Sequence, residues 1–268
     1  GDHRELHRVD RRQRQMCIRD SIKSISGIRG TIGDSDGLDP INVVKYSLAF
    51  ANVIKNQFKD ASPKIIVGRD GRISGNSIKN LVINSLICVG IDVYDADYST
   101  TPSLEMGVKY LNAQGGIMIT ASHNPQNWNA LKFFNEKGEF ITEDILKEIE
   151  NFVNDTSSFS LVKEEKFGQI YEAPDLIDYH INKILDLPYV KRDLISQSNF
   201  KIIVDTINST GSIAIKKLFD ALSAGGKVTM ELGDMFWGHS LEVVLINLEY
   251  NGCLTALKQN NYFRDKSR

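Results

Sequence analysis

The sequence predicts a layered α/β domain followed by an incomplete second α/β domain. Two observations predict it: after Ser21, short β-branched runs alternate with longer segments of helical period, and strings of turn formers separate them. With 268 residues, 41% of them hydrophobic and 25% charged, the chain can bury the core of one or two domains.

Asp39 followed by Pro40 predicts an N-cap with proline at the first helical position, and Ile41, Val44, Leu48 and Ala51 recur on one face of the helix. Lys64 to Gly68 (KIIVG) predicts a strand, RDGRISG a loop, and Ile78, Leu81, Val82 and Leu86 the inward face of a second helix. The unit repeats with a strand at Ile91 to Asp95 and a helix capped by Thr101, with Pro102 first. Gly115 to Thr120 (GGIMIT) is uninterruptedly apolar, as a strand buried on both faces would be. The polar string ASHNPQNWN separates it from a further strand at Ala130 to Phe134. Thr142, with Glu143 and Asp144 behind it, caps a helix that turns Ile145, Leu146, Ile149 and Phe152 inward.

The layered domain is complete by about residue 155, and another helix runs from about Pro174 to Leu185. A boundary is expected at 187–199. Phe200 to Asp205 and the helical SIAIKKLFDAL then begin a second βα unit that the remaining residues cannot close. The expected limits are a tail at 1–20, a first domain at 21–190 and a shortened second domain at 199–268. The tail carries six arginines against four acids without periodicity. From Arg12 to Ser21 it resembles peptide translated from adapter or vector sequence, and it is set aside from fold reasoning.

Several classes are excluded. No run of about 18 apolar residues spans a bilayer and no secretory h-region follows the N-terminus, so the expectation is a cytoplasmic protein with no membrane partner. A net charge of -2 gives no general attraction for nucleic acid. Cys17, Cys88 and Cys253 are too scattered for a disulfide framework or a zinc site. Asp34, Asp36 and Asp39 lack the glycine and glutamate placement of a calcium loop, and Asp92, Asp95 and Asp97 read as a solvated turn at a strand end.

The string that carries chemistry is Thr120-Ala121-Ser122-His123-Asn124-Pro125, with Asn129 and Lys132 just beyond. A serine hydroxyl at a strand end faces a cleft, and polar neighbours with a lysine can hold anionic oxygens around it, which suits phosphoryl transfer. Read alone, S-H-N-P is a turn made of good turn formers.

The longer string TASHNPQNWNALK resembles the active-site serine loop of the α-D-phosphohexomutases, the family of phosphoglucomutase, phosphomannomutase and phosphoglucosamine mutase. SGIRG (Ser26 to Gly30) resembles the family's opening arginine motif, VGRDGRISG (Val67 to Gly75) its second arginine segment, and STTPS (Ser99 to Ser103) the turn before the serine strand. Order and spacing agree from about Ile22 to about Leu222, and SISGIRG and NWNALK look closest to a bacterial phosphoglucosamine mutase-like branch.

The resemblance implies a three-layer α/β/α first domain with a mixed sheet. It also implies a reaction in which phosphorylated Ser122 donates to a sugar phosphate and the bisphosphorylated sugar returns its other phosphate. Ser122, Lys132 and Arg29 are the implied catalytic residues, with Lys132 handling a proton and Arg29 orienting the anion. His123, Asn124 and Arg69 are the implied phosphate-binding residues. The implied cofactors are Mg²⁺, ligated here by Ser122, and a hexose 1,6-bisphosphate as activator and intermediate. The sugar phosphate partner stays open among glucosamine, glucose and mannose, and no oligomeric state is read.

The chain also departs from that pattern. No D-x-D-x-D-R follows Leu232, the text at 233–250 differs from the family's, and LTALKQNN (Leu254 to Asn261) resembles it again. A local frame disruption and a non-functional fragment are therefore expected. The alternative is a non-catalytic α/β fragment that binds phosphate. A serine hydrolase lacks its G-x-S-x-G elbow and a Rossmann dehydrogenase its G-x-G-x-x-G.

Overall fold

The computed structural model describes residues 22–33, 37–59, 62–155, 159, 161–198, 201–222 and 243–247. The tail at 1–20, Cys17, Cys253, Asp34, Asp36, LTALKQNN and all of 233–250 except 243–247 lie outside them. Contacts divide the chain into two compact units, 1–180 and 181–268.

The first unit is built on a seven-stranded sheet of β1 (Ile22–Ser24), β2 (Gly27–Thr31), β3 (Lys64–Arg69), β4 (Asp92–Tyr98), β5 (Gly115–Ile119), β6 (Trp128–Phe134) and β7 (Ile170–Glu172). The order is β1-β2-β6-β5-β3-β4-β7. The sheet is mixed. β5, β3, β4 and β7 run parallel, whereas β6, β2 and β1 join through antiparallel pairs. The parallel half is made by crossovers through α1 (Pro40–Gln57), α2 (Gly75–Cys88) and α3 (Thr101–Tyr110). α4 (Glu143–Asn154) and α5 (Leu176–Leu185) follow, and α5 runs across the division between the units.

Alternation along each strand sorts the core into two layers. Ile65, Val67, Ile117, Ile119 and Phe133 meet Phe50 and Val53 of α1, Val82 and Leu86 of α2, and Ile149 of α4. Ile66, Met118 and Phe134, one residue out of phase, meet Leu104 and Val108 of α3 and Leu176 of α5. Both faces of β5 are thus covered, and all five of its residues are buried, as its unbroken apolar run predicts.

The capping chemistry follows the sequence closely at Asp39, whose Oδ1 accepts from the Asn42 N–H at 2.7 Å, and at Thr142, which accepts from Ile145. At α3 the cap is Thr100 rather than Thr101. Its hydroxyl accepts from the Ser103 N–H, and Thr101 and Pro102 are already helical. The predicted face of α1 holds at Ala51, which is buried, and at Leu48, which packs against the core, but fails in the first turn. Ile41 is 66% exposed, while Val43, Tyr46, Phe50, Val53 and Ile54 are buried, because α1 is packed by α2, α4 and the sheet together. The supposed solvated turn at Asp92, Asp95 and Asp97 is strand β4, and Lys79 Nζ joins Asp95 (2.7 Å) to Asp97 (2.9 Å).

The second unit contains α6 (Arg192–Gln197), β8 (Lys201–Asp205), α7 (Thr210–Leu222) and β9 (Val243–Asn247), with β8 and β9 antiparallel. Ile195, Ile202, Ile215 and Phe219 cluster within it. α6 lies inside the stretch 187–199 expected to be a boundary, and β9 lies in text without strand patterning. Among the described residues no helix is long and apolar enough to cross a membrane.

Candidate functional site

Adjacent parallel strands open at the same edge, and β3 and β5 therefore deliver their following loops side by side. The loop after β3 is Asp70 to Ser74. The loop after β5 runs from Thr120 to Asn127 and turns the chain back into antiparallel β6.

Ser122 is exposed on this second loop and has φ +53, a left-handed conformation uncommon for a residue with a side chain. A chain of hydrogen bonds holds it there. The Ser122 N–H donates to Thr120 Oγ1 (3.1 Å), the Thr120 hydroxyl donates to Asp70 Oδ2 (2.6 Å), and Asp70 Oδ1 accepts the Arg72 N–H (3.0 Å). The Arg72 guanidinium reaches the same loop. Its Nη1 donates to the carbonyls of Pro125 (2.8 Å) and Trp128 (2.9 Å), and its Nη2 to those of Ser122 (2.8 Å) and Asn124 (2.8 Å). Asn129, fully buried at the start of β6, donates through Nδ2 to Ser74 Oγ at 2.9 Å and ties that strand to the loop after β3.

Lys132 and Arg29 stand beside this loop on β6 and β2. Arg29 lies opposite Ala130, two residues from Lys132, so both side chains leave the same face of the sheet. Gly27 makes room for the lysine stem: its φ is +125, and a Cβ there would sit 2.6 Å from the Leu131 carbonyl and 3.1 Å from Lys132 Cγ. Arg29 Nη2 donates to Ser26 Oγ (2.8 Å). Burial holds the Lys132 ammonium below the usual lysine range, and the like charge of Arg29 lowers it further against the opposing pull of Glu105 and Asp70. Burial in turn raises the Glu105 carboxyl, against the pull of Lys132.

The residues singled out from sequence are thus gathered unequally. Ser122, His123 and Asn124 share one loop, with His123 exposed and Asn124 Oδ1 buried without a partner among the described residues. Lys132 and Arg29 are neighbours, joined to the loop by Asp70, which faces Lys132 electrostatically and holds Thr120 directly. Arg69 is engaged elsewhere. It is 8% exposed, donates from Nε to Asp97 at 2.8 Å and stacks on the Tyr98 ring with Cζ 3.8 Å from its centre. Among the described residues no group of three or more His, Cys, Asp or Glu gathers to hold a metal ion, so they offer Mg²⁺ no ligand set around Ser122.

Sequence reasoning missed Arg72, Asp70 and Glu105. The string RDGRISG shows two arginines, and only the turn between them decides which one reaches the serine loop. Glu105 lies in an ordinary helical stretch, and nothing local marks it as Lys132's neighbour.

Residues 21–159 match the family profile described as phosphoglucomutase/phosphomannomutase, alpha/beta/alpha domain I. A phosphoglucosamine/phosphogalactosamine mutase of Sulfurisphaera tokodaii is 32% identical over 197 residues, covering 73% of this chain and 41% of that protein. A phosphoglucosamine mutase of Finegoldia magna is 33% identical over 205 residues, covering 76% of this chain and 43% of the relative. The solved structure of a phosphoglucomutase/phosphomannomutase family protein from Burkholderia thailandensis is similar at TM-score 0.51 and 25% identity, over 61% of this chain and 36% of that one. A Paramecium parafusin structure shares the fold at TM-score 0.56 and 17% identity, over 76% of this chain and 42% of that one. The chain spans about two fifths of the length of these relatives.

Proposed function

Because the chain belongs to the phosphoglucomutase/phosphomannomutase family, we propose that it carries the phosphoryl-accepting half of a phosphohexomutase, with Ser122 as the residue that takes and returns phosphate. The complete reaction would interconvert the 6-phosphate and 1-phosphate of a hexose or hexosamine through a bisphosphorylated sugar. The observation that carries this reading is the exposed Ser122, held at positive φ on a loop anchored by Asp70, which also faces a lysine that burial and Arg29 hold below the usual lysine range.

In the accepting step the Ser122 oxygen forms a bond to phosphorus of a sugar bisphosphate and the bond from phosphorus to the sugar oxygen breaks. Neutral Lys132 takes the serine proton, and the sugar oxygen regains one from solvent. Such transfer asks mainly for in-line positioning and positive charge around the phosphoryl oxygens. Arg29 and the lysinium formed at Lys132 supply that charge, and His123 and Asn124 border the phosphate. Arg69 enters as a support of the loop after β3 rather than as a phosphate ligand. Mg²⁺, when bound, would neutralise phosphoryl charge, with Ser122 as a ligand from this chain.

The test is incubation of the chain with Mg²⁺ and glucose or glucosamine 1,6-bisphosphate, followed by peptide mass spectrometry, with Ser122→Ala beside it. The expected result is phosphate on Ser122 and none on the alanine variant. Phosphate on another residue, or none on Ser122 even in a chain extended to the relatives' full length, rejects the assignment.

A further inference from the structure

Arg72 is the most heavily committed side chain near Ser122, yet the transfer chemistry gives it no task. Its two terminal nitrogens make four hydrogen bonds of 2.8–2.9 Å, all to backbone carbonyls of residues 122 to 128, across about fifty residues of sequence. Its Nε lies 3.4 Å from Asp70 Oδ2 without hydrogen-bonding geometry. All four terminal N–H donors are thus spent on carbonyls and the fifth, on Nε, is buried, so the guanidinium has no accessible donor left for a phosphate.

The consequence lies on the other side of each peptide plane. In a trans peptide the carbonyl of one residue and the N–H of the next point in opposite directions, and no peptide here is cis. Drawing the Ser122 carbonyl toward Arg72 therefore turns the His123 N–H away from it, and drawing the Pro125 carbonyl inward does the same for Gln126. Neither amide donates to any partner among the described residues, and both residues are exposed. The carbonyl captured at Asn124 precedes Pro125, which has no N–H to aim.

Resting on the reading of Ser122 as phosphoryl acceptor, we propose that Arg72 is a positioning residue: its guanidinium gathers the loop carbonyls inward and so presents the His123 and Gln126 amides outward as donors to the phosphoryl oxygens. The loop becomes a preorganised anion cradle whose floor is a cation that never touches the anion. Lysine cannot replace it, because an ammonium has three donors and no planar fork to span four carbonyls.

The experiment compares the parent chain with Arg72→Ala and Arg72→Lys, with and without millimolar guanidinium chloride, sodium chloride serving as the ionic control. Two quantities are read: hydrogen exchange of the amides in peptide 120–129, and the rate of Ser122 phosphorylation by glucose 1,6-bisphosphate. Both variants are expected to exchange faster in that peptide than elsewhere in the first unit. They are also expected to lose about 10²-fold in phosphorylation rate at saturating donor, with a smaller change in KM, as for removal of a transition-state donor. Added guanidinium is expected to restore both quantities in Arg72→Ala and neither in Arg72→Lys, which a general loss of stability would not do. Should Arg72→Ala lose its cooperative thermal transition, Arg72→Lys decides on the same two readouts.

Unchanged loop exchange in a folded variant, or phosphorylation within a few-fold of the parent, overturns the proposal. A parent that takes no phosphate even when extended to the relatives' full length, with a variant loop that loosens and is tightened by guanidinium, upholds the clamp and rejects the Ser122 chemistry instead.

Discussion

Lys132 serves as a base only while neutral, and its surroundings decide how much of it is neutral at a given pH. Burial and Arg29 favour the neutral amine, and Glu105 and Asp70 favour the ammonium. The phosphorylation rate of Ser122 should therefore rise with pH along the Lys132 titration. Arg29→Ala removes the like charge and should move that rising limb to higher pH; Glu105→Gln removes an opposite charge and should move it to lower pH. Lys132→Met should cost about 10²- to 10⁴-fold on the upper plateau and abolish the rising limb. A pH–rate series on the three variants checks this, and limbs moving in the same direction would refute the base. Ser122, Lys132 and Arg29 could be named in advance because each stands in a recognisable string. Their governors could not, since Asp70, Arg72 and Glu105 act through contacts that exist only after β2, β3, β5, β6 and α3 have been laid side by side.

Three helices of the first unit, α1, α3 and α4, begin at side-chain caps, and these were readable to within a residue because a cap is a local event. The cap at α1 is an aspartate with proline behind it, and Asp39→Ala should lower stability by about 1 kcal/mol in urea unfolding. Among the strands read from the sequence, β3, β5 and β6 are buried along most of their length, where apolar residues run together. β7 escaped notice because all three of its residues are exposed, and what makes it a strand is its pairing to β4, with Tyr171 stacked on Tyr94. The first turn of α1 was misjudged for the opposite reason. A helix covered on several sides has a wide apolar arc, and Ile41 in its first turn lies outside that arc.

On the scale of the molecule, the first unit depends on β5 and β6, where the parallel and antiparallel halves of the sheet meet. Phe133 is fully buried on β6 with its ring centre 4.7 Å from that of Phe50 on α1. Phe133→Ala should cost about 3–5 kcal/mol, a large part of the roughly 5–15 kcal/mol that holds a domain together. A matching fall in the urea midpoint with unchanged slope would support it; a loss under 1 kcal/mol would mean that the helix collapses into the space. The same meeting of halves governs the order in which the chain can assemble. The serine loop closes a hairpin of near neighbours, yet Arg72 comes from about fifty residues earlier, and Arg29 waits about a hundred residues for its partner strand. Contacts that distant form slowly because a long loop must close first. While the chain is being synthesised, β2 therefore has only β1 beside it until β6 has emerged, and Asp70 and Arg72 wait about fifty residues for the serine loop that they will hold.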